Sequence, residues 1–416
     1  MHLSPFDLIA LLITLAALFS YVNHRYIGLP TAIGVMLVAL MVSLGVIVSG
    51  HFIPGIANLA RETVTGIHFD TTLMQGLLSY LLFAGALHVD INRLARQGNV
   101  ILACATLGLL ISTFLVGTLV FFALKMLGIE IDYIMCLLFG ALISPTDPIA
   151  VLALLKSANV PKSLQTKIEG ESLFNDGVGV VVFLTLLRCI GENTPSATDI
   201  GVLFFKEAVG GAVFGLAIGW VAYKLLKSIN QYQVEILLSL ALVSGGYALA
   251  HQLHVSGPIA IVVAGLLIGN QGRRWAMSDS TREHLDQFWE LIDEVLNAVL
   301  FVAIGLELLI LTLAPNHILA GLLAIPIVLL SRFISVGVPI NLLRAVRAFT
   351  PHVVKILTWA GLRGGISIAL ALSLPEGPHR ALLLTMTYVV VLFSILVQGL
   401  TVKGVVKRAL KDSPAE

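Results

Sequence analysis

The sequence is poor in charge. Asp, Glu, Lys and Arg make up 12% of its 416 residues, against roughly 25% in a typical soluble domain. Hydrophobic residues make up 57% and the mean hydropathy is +0.96. Together these exclude an ordinary soluble domain and a disordered chain, and imply an integral membrane protein with most of its length in the bilayer. A net charge of +1 leaves no basic field to hold nucleic acid. Cysteine is scarce: Cys104, Cys136 and Cys189 lie far apart with no CxxC spacing, which excludes a disulfide framework and a zinc site. No GxxxxGKS/T loop occurs, so no nucleotide site and no ATP-driven pumping are expected. Residues 1–7 hold no Lys or Arg, so the first apolar run lacks the basic lead of a cleavable signal peptide. No polar stretch is long enough for a soluble domain, and no resident cofactor is expected.

What the chain does have is apolar runs. A helix needs roughly 20 such residues to cross the hydrocarbon core. Thirteen candidate spans fall at about 6–22, 30–49, 69–89, 98–124, 131–156, 162–191, 199–227, 233–252, 256–269, 284–313, 317–342, 352–374 and 380–402. The expected fold is an all-α polytopic membrane protein. Lys and Arg test the count. With the amino terminus outside, only Arg61, Lys125, Arg188, Lys206 and Arg380 lie on the outer side, and Arg332 and Arg363 lie inside spans. That leaves 18 of the 25 basic residues on inner loops and the carboxyl-terminal tail. The asymmetry predicts an external amino terminus and a cytoplasmic carboxyl terminus.

Charges at bilayer depth cost about 2.5–3.5 kcal/mol each on insertion scales, so they are functional candidates by default. Span 5 contains Ser144-Pro145-Thr146-Asp147-Pro148. Two prolines three residues apart cannot both sit in an intact helix. The helix should open near Thr146, leaving unpaired carbonyls beside Asp147, an oxygen environment suited to a small hard cation. The plainer reading is a proline kink with Asp147 capping the next half-helix. Span 6 contains Glu171, Ser172, Asn175 and Asp176. Asp176 lies roughly 20 Å along this helix at 1.5 Å per residue. Ser172 and Asp176 share a face, with Glu171 and Asn175 on the neighbouring one. The plainer reading is polar glue between helices, but an ionisable group is an expensive glue. Span 11 holds Arg332, and span 12 holds Gly361-Leu362-Arg363-Gly364-Gly365, whose glycines weaken the helix near its middle. Each arginine could be a counter-ion for a buried carboxylate.

Spans 5 and 12 are thus both interrupted near the midpoint. They lie seven spans apart and run in opposite directions. This predicts an inverted-topology repeat of spans 1–6 with 8–13, with span 7 as linker and a site between two broken helices. If Asp147, Glu171, Asp176, Arg332 and Arg363 meet, one negative charge is uncompensated. One proton or one monovalent cation neutralises it, but not both. Carboxylates taken out of water hold protons more readily in general, so such competition would make an exchanger.

The motifs at 144–148, 171–177 and 361–365, with Phe288-Trp289-Glu290 and Gly305-Leu306-Glu307, resemble the sodium/proton antiporters of the NhaP/NHE branch of the monovalent cation:proton antiporter superfamily, in particular its bacterial and archaeal NhaP type. The resemblance covers nearly the whole chain. It implies thirteen helices in a homodimer embedded in lipid. Residues 1–97 (spans 1–3) and 229–315 (spans 8–10) would form a dimerisation domain. Residues 98–192 (spans 4–6) and 316–403 (spans 11–13) would form a core ion-transport domain moving as an elevator. Residues 193–228 would be a linker helix and 404–416 a short cytoplasmic tail. The transported species would be Na⁺ or Li⁺ and H⁺, exchanged across the cell (inner) membrane. Asp176 would bind cation and proton alternately, with the Thr146 carbonyl, Asp147 and Ser172 completing the shell. Glu171 would pair with Arg332, and Arg363 would support the crossing. Asn175 before Asp176 resembles the electroneutral members. The animal members' long regulatory tail has no counterpart, which argues against control by a tail-binding partner.

Other features have plainer readings. Asp286, Glu290 and Asp293 could form an inner cation funnel, but suit a solvated helix end. His251 and His254 could sense pH, but suit interfacial packing. Glu169 could sit on the inner cation path or at the helix mouth. Competing functions are K⁺/H⁺ exchange with the same oxygen ligands, an intramembrane aspartyl protease using Asp147 and Asp176, a passive channel, and a transporter-like sensor.

Overall fold

The computed structural model describes residues 5–50, 52, 55, 76–147, 151, 160, 162–190, 197–311, 314–345, 349 and 352–411. Long apolar runs have one solution in lipid, the helix, because every backbone N–H and C=O must be paired within the segment. The described residues follow that rule. Helices α1 (Pro5–Val22) and α2 (Thr31–Gly50) open the chain, followed by α3 (Leu78–His88). Helices α4 (Ile91–Ala103) and α5 (Leu109–Met126) join through a π-turn at Cys104–Gly108. Helix α6 (Tyr133–Ile143) leads towards the site and α7 (Lys162–Leu187) carries most of it. Then come α8 (Ala197–Lys227), α9 (Tyr232–Gln252), α10 (Gly257–Leu267), α11 (Asp279–Glu307) and α12 (Pro315–Leu343). Two eight-residue helices follow, α13 (Val353–Ala360) and α14 (Gly365–Leu372). The chain closes with α15 (Arg380–Phe393), a π-turn at Ser394–Gln398, and α16 (Gly399–Lys411).

Among the described residues, eight helical stretches are long and apolar enough to cross a membrane. They coincide with spans 1, 2, 4, 6, 7, 8, 11 and 13. The other five fall short by that measure for identifiable reasons. Helices α3 and α6 have 11 residues each, α10 runs on through a π-turn into a polar end with Arg273 and Arg274, span 12 is divided into α13 and α14, and α11 begins with an acidic, amphipathic stretch. Residues 69–75 of span 3 and most of span 5 beyond Asp147 lie outside the described residues.

Two boundaries differ from the hydropathy reading. The helix containing span 4 starts at Ile91, where Asp90 caps it by accepting from the N–H groups of Asn92 (2.8 Å) and Arg93 (3.3 Å). Its first three turns are amphipathic, which a hydropathy ruler does not register. The expected tail after span 13 is helical as far as Lys411. Lys167, assigned to an inner loop, is buried in α7 and lies over the Phe349 ring.

Around the site, α6 packs against α5 and α7, while α12 packs against α5, α13 and α15. A second buried cluster gathers round Trp289, whose ring packs on Tyr80, Phe83 and Phe288. Its indole N–H donates to Ser239 at 3.0 Å. Much of α8 is apolar and exposed, at Val202, Phe205, Val213, Leu216 and Trp220. Such a face is a liability in water and a natural contact for lipid.

Candidate cation site

The site begins where α6 stops. Pro145 has no N–H to donate back to the Ala141 carbonyl, so the helix ends at Ile143, with Ser144 still in helical geometry (φ −77°, ψ −34°) as its cap. Ser144 Oγ sits 2.6 Å from the Gly140 carbonyl and 2.8 Å from Ser112 Oγ of α5. The chain then runs non-helically through Pro145, Thr146 and Asp147.

Helix α7 closes on this stretch. The Asn175 amide grips Thr146 twice: its Oδ1 accepts the Thr146 N–H (3.2 Å) and its Nδ2 donates to the Thr146 hydroxyl (2.8 Å). Ser172 Oγ lies 3.0 Å from the same hydroxyl. Glu171, Ser172, Asn175 and Asp176 are all buried, Asp176 with 6% of its surface exposed. Asp176 Oδ1 is buried with no hydrogen-bond partner among the described residues. Buried polar atoms usually find partners; among the site's carboxylates this oxygen is left without one, as is the Nε of Arg332.

Span 12 approaches from the opposite side. Helix α13 ends at Ala360 and α14 begins at Gly365. In the gap, the Leu362 carbonyl accepts the Asp147 N–H at 2.8 Å, forming an isolated antiparallel bridge. A Cβ on Gly364 would come within 2.1 Å of Asp147 Oδ2, and one on Gly361 within 2.7 Å of Arg332 Nε. Both glycines are needed for this close approach. The Arg363 guanidinium reaches across and donates to the carbonyls of Ser144 (2.6 Å) and Pro145 (2.9 Å). This corrects the expectation that the opened helix leaves its carbonyls unpaired. One Arg Nη takes two of them, because its fork offers several donors.

Arg332 donates to Glu171 Oε1 at 2.5 Å, and both side chains are buried. Thr146, Asp147, Ser172, Asn175 and Arg363 are therefore brought together, Glu171 and Arg332 form one ion pair, and Asp176 sits one turn beyond Ser172 on α7. Asp286 instead pairs with Arg273. Glu290, His251 and His254 are exposed, and Glu169 is half-buried. Sequence reasoning missed Ser394 and Gln398, both buried in the last span. An amide inside an otherwise apolar run was the available signal. It also passed over the buried carboxylates of Glu207 and Glu235, and gave no role to that of Glu307.

The model of the family described as "Sodium/hydrogen exchanger, transmembrane" matches residues 11–408. The chain belongs to this family. Members of the sodium/hydrogen exchanger family are secondary transporters, which removes the protease alternative. The chain is 52% identical to the Na(+)/H(+) antiporter NhaP of Pseudomonas aeruginosa over 99% of its length and 98% of that protein's. It is 34% identical to the Na(+)/H(+) antiporter NhaH of Halobacillus dabanensis over 91% of its length and 92% of that protein's. Among solved structures, the sodium proton antiporter MjNhaP1 of Methanocaldococcus jannaschii aligns with a TM-score of 0.76 at 19% identity, covering 98% of this chain and 99% of that one. At that identity the likeness is one of fold.

Proposed function

We propose that this exchanger family member moves one Na⁺ or Li⁺ against one proton, with Asp176 as the group for which both compete. The observation that carries this reading is the buried Oδ1 of Asp176, without a hydrogen-bond partner among the described residues, on the helix that grips Thr146. A cation held there draws on Asp176, Asp147, the Ser172 hydroxyl and the Thr146 carbonyl, an all-oxygen set suited to a hard monovalent ion. Asn175 shapes the site by holding Thr146. The similarity to the Na(+)/H(+) antiporters NhaP and NhaH supports the choice of ions.

The exchange is electroneutral in this account. Glu171 is offset by Arg332, and Arg363 supplies one further positive charge against Asp147 and Asp176. The single remaining negative charge accepts either a cation or a proton. Both loaded states are then neutral, and only these cross the low-dielectric interior easily. Alternating access follows from elevator movement of a core formed by residues 98–192 and 316–403 against a dimerisation domain formed by 1–97 and 229–315. The finer architecture belongs to the same proposal: thirteen spans, inverted repeats, broken helices 5 and 12 crossing at the site, a homodimer in the cell membrane, and the amino terminus outside.

The test uses proteoliposomes holding the purified full chain, with proton movement recorded on adding Na⁺, Li⁺ or K⁺ at several pH values. Na⁺ and Li⁺ should drive proton release. Under competition for one group, the apparent KM rises by roughly tenfold per pH unit on the acid side, while the rate at saturating cation changes little. A response to K⁺ alone would replace the ion assignment, and a KM independent of pH would contradict shared binding.

A further inference from the structure

The gap in span 12 must be held at one register for its contacts with span 5 to exist. Its own helices cannot do this. Helix α13 leaves its last carbonyls without i+4 partners, and α14 leaves its first N–H groups likewise. Two side chains of the last span meet part of that need. The Arg363 backbone N–H donates to Ser394 Oγ at 2.8 Å. The Ser394 hydroxyl in turn donates to Gln398 Oε1 at 2.8 Å. Gln398 Nε2 donates to the Trp359 carbonyl at 3.3 Å, just before the gap. Both side chains are buried, at 0% and 3% exposure. They stand at the two ends of the π-turn Ser394–Gln398, a wider turn that often marks a functional position in a helix.

The arrangement parallels the one on α7. There Ser172 and Asp176 stand four residues apart, and Asn175 takes the N–H of Thr146 in the span 5 interruption. Here Ser394 and Gln398 stand four residues apart, and Ser394 takes the N–H of Arg363 in the span 12 interruption. One set carries a carboxylate and the other is neutral. A neutral set can hold a backbone without competing for the cation.

We propose that Ser394 and Gln398 are positioning residues for the cation site, acting through Arg363 to fix the span 12 gap. The link is short: the Arg363 backbone sets where its guanidinium meets the Ser144 and Pro145 carbonyls, and the adjacent Leu362 carbonyl holds the Asp147 N–H. A loosened gap displaces Asp147 and the span 5 turn together. The proposal rests on the exchange reading given above.

The experiment measures Na⁺- and Li⁺-driven proton movement by the full chain in proteoliposomes, comparing wild type with Ser394→Ala, Ser394→Thr and Gln398→Met. Ser394→Ala and Gln398→Met should raise the apparent KM by about threefold to tenfold, the worth of one buried hydrogen bond. The maximal rate should fall by less. Ser394→Thr, which keeps the hydroxyl, should restore a KM near wild type. An unchanged KM in Ser394→Ala would overturn the proposal, as would Ser394→Thr being equally impaired. If the Ser394 variants do not fold, Gln398→Met decides, and an unchanged KM there overturns it. If wild type moves no protons with either ion, the exchange reading fails instead. Hydrogen–deuterium exchange at the Arg363 amide then decides this proposal: Ser394→Ala should exchange faster, and equal protection would overturn it.

Discussion

At the scale of the residue, the site leaves one carboxylate oxygen without a hydrogen-bond partner among the described residues. This is Oδ1 of Asp176, while its neighbours Glu171 and Asn175 are committed to Arg332 and Thr146. The buried Glu171–Arg332 pair predicts a large asymmetry. Arg332→Ala strands a carboxylate away from water and should cost about 3–5 kcal/mol of stability, whereas replacing both partners by apolar residues should recover most of that. Thermal unfolding of the two variants in detergent checks this, and equal destabilisation would argue against a buried pair. Asn175→Asp keeps an acceptor for the Thr146 N–H but removes the amide donor to its hydroxyl, and adds a titratable charge. Exchange should slow and its pH profile should move; a variant with wild-type rate and profile would remove Asn175 from the site.

At the scale of the element, the proposed site depends on helices that stop. Proline ends α6 and glycines open the gap between α13 and α14, so that Asp147 and Leu362 pair as a single bridge. Gly364→Ala should abolish exchange, because its methyl would occupy the space of the Asp147 carboxylate. Measuring exchange beside the yield of folded protein checks this, and full activity would show that the close approach is dispensable. The interruptions were legible in the sequence because Pro and Gly act locally on the backbone that carries them. The ends of the amphipathic stretches were less so. Helix α4 begins at Ile91 under an Asp90 cap, and polar residues at a membrane surface read as loop to a hydropathy ruler. The resemblance placed Arg363 in support of the crossing, but its acceptors, the Ser144 and Pro145 carbonyls, and the contact of Ser394 with Arg363 were not legible. These partners lie 219, 218 and 31 residues apart, and no local pattern specifies which buried donor meets which acceptor.

At the scale of the whole molecule, the buried Glu171–Arg332 pair is matched internally, and the sidedness of the remaining basic residues is a prediction of the sequence. The basic residues predict an inward carboxyl terminus. In a Cys189→Ser background, Glu376→Cys should react with an impermeant thiol reagent from outside and Lys407→Cys only from inside; the reverse pattern would invert the topology. Native Cys104 and Cys136 are buried and should stay silent. The central claim is that one carboxylate serves both ions. Its most direct test is Na⁺-driven proton movement in proteoliposomes of Asp176→Asn beside wild type. The account predicts brisk movement in wild type and none in a folded Asp176→Asn protein, and exchange that persists in the variant would contradict it.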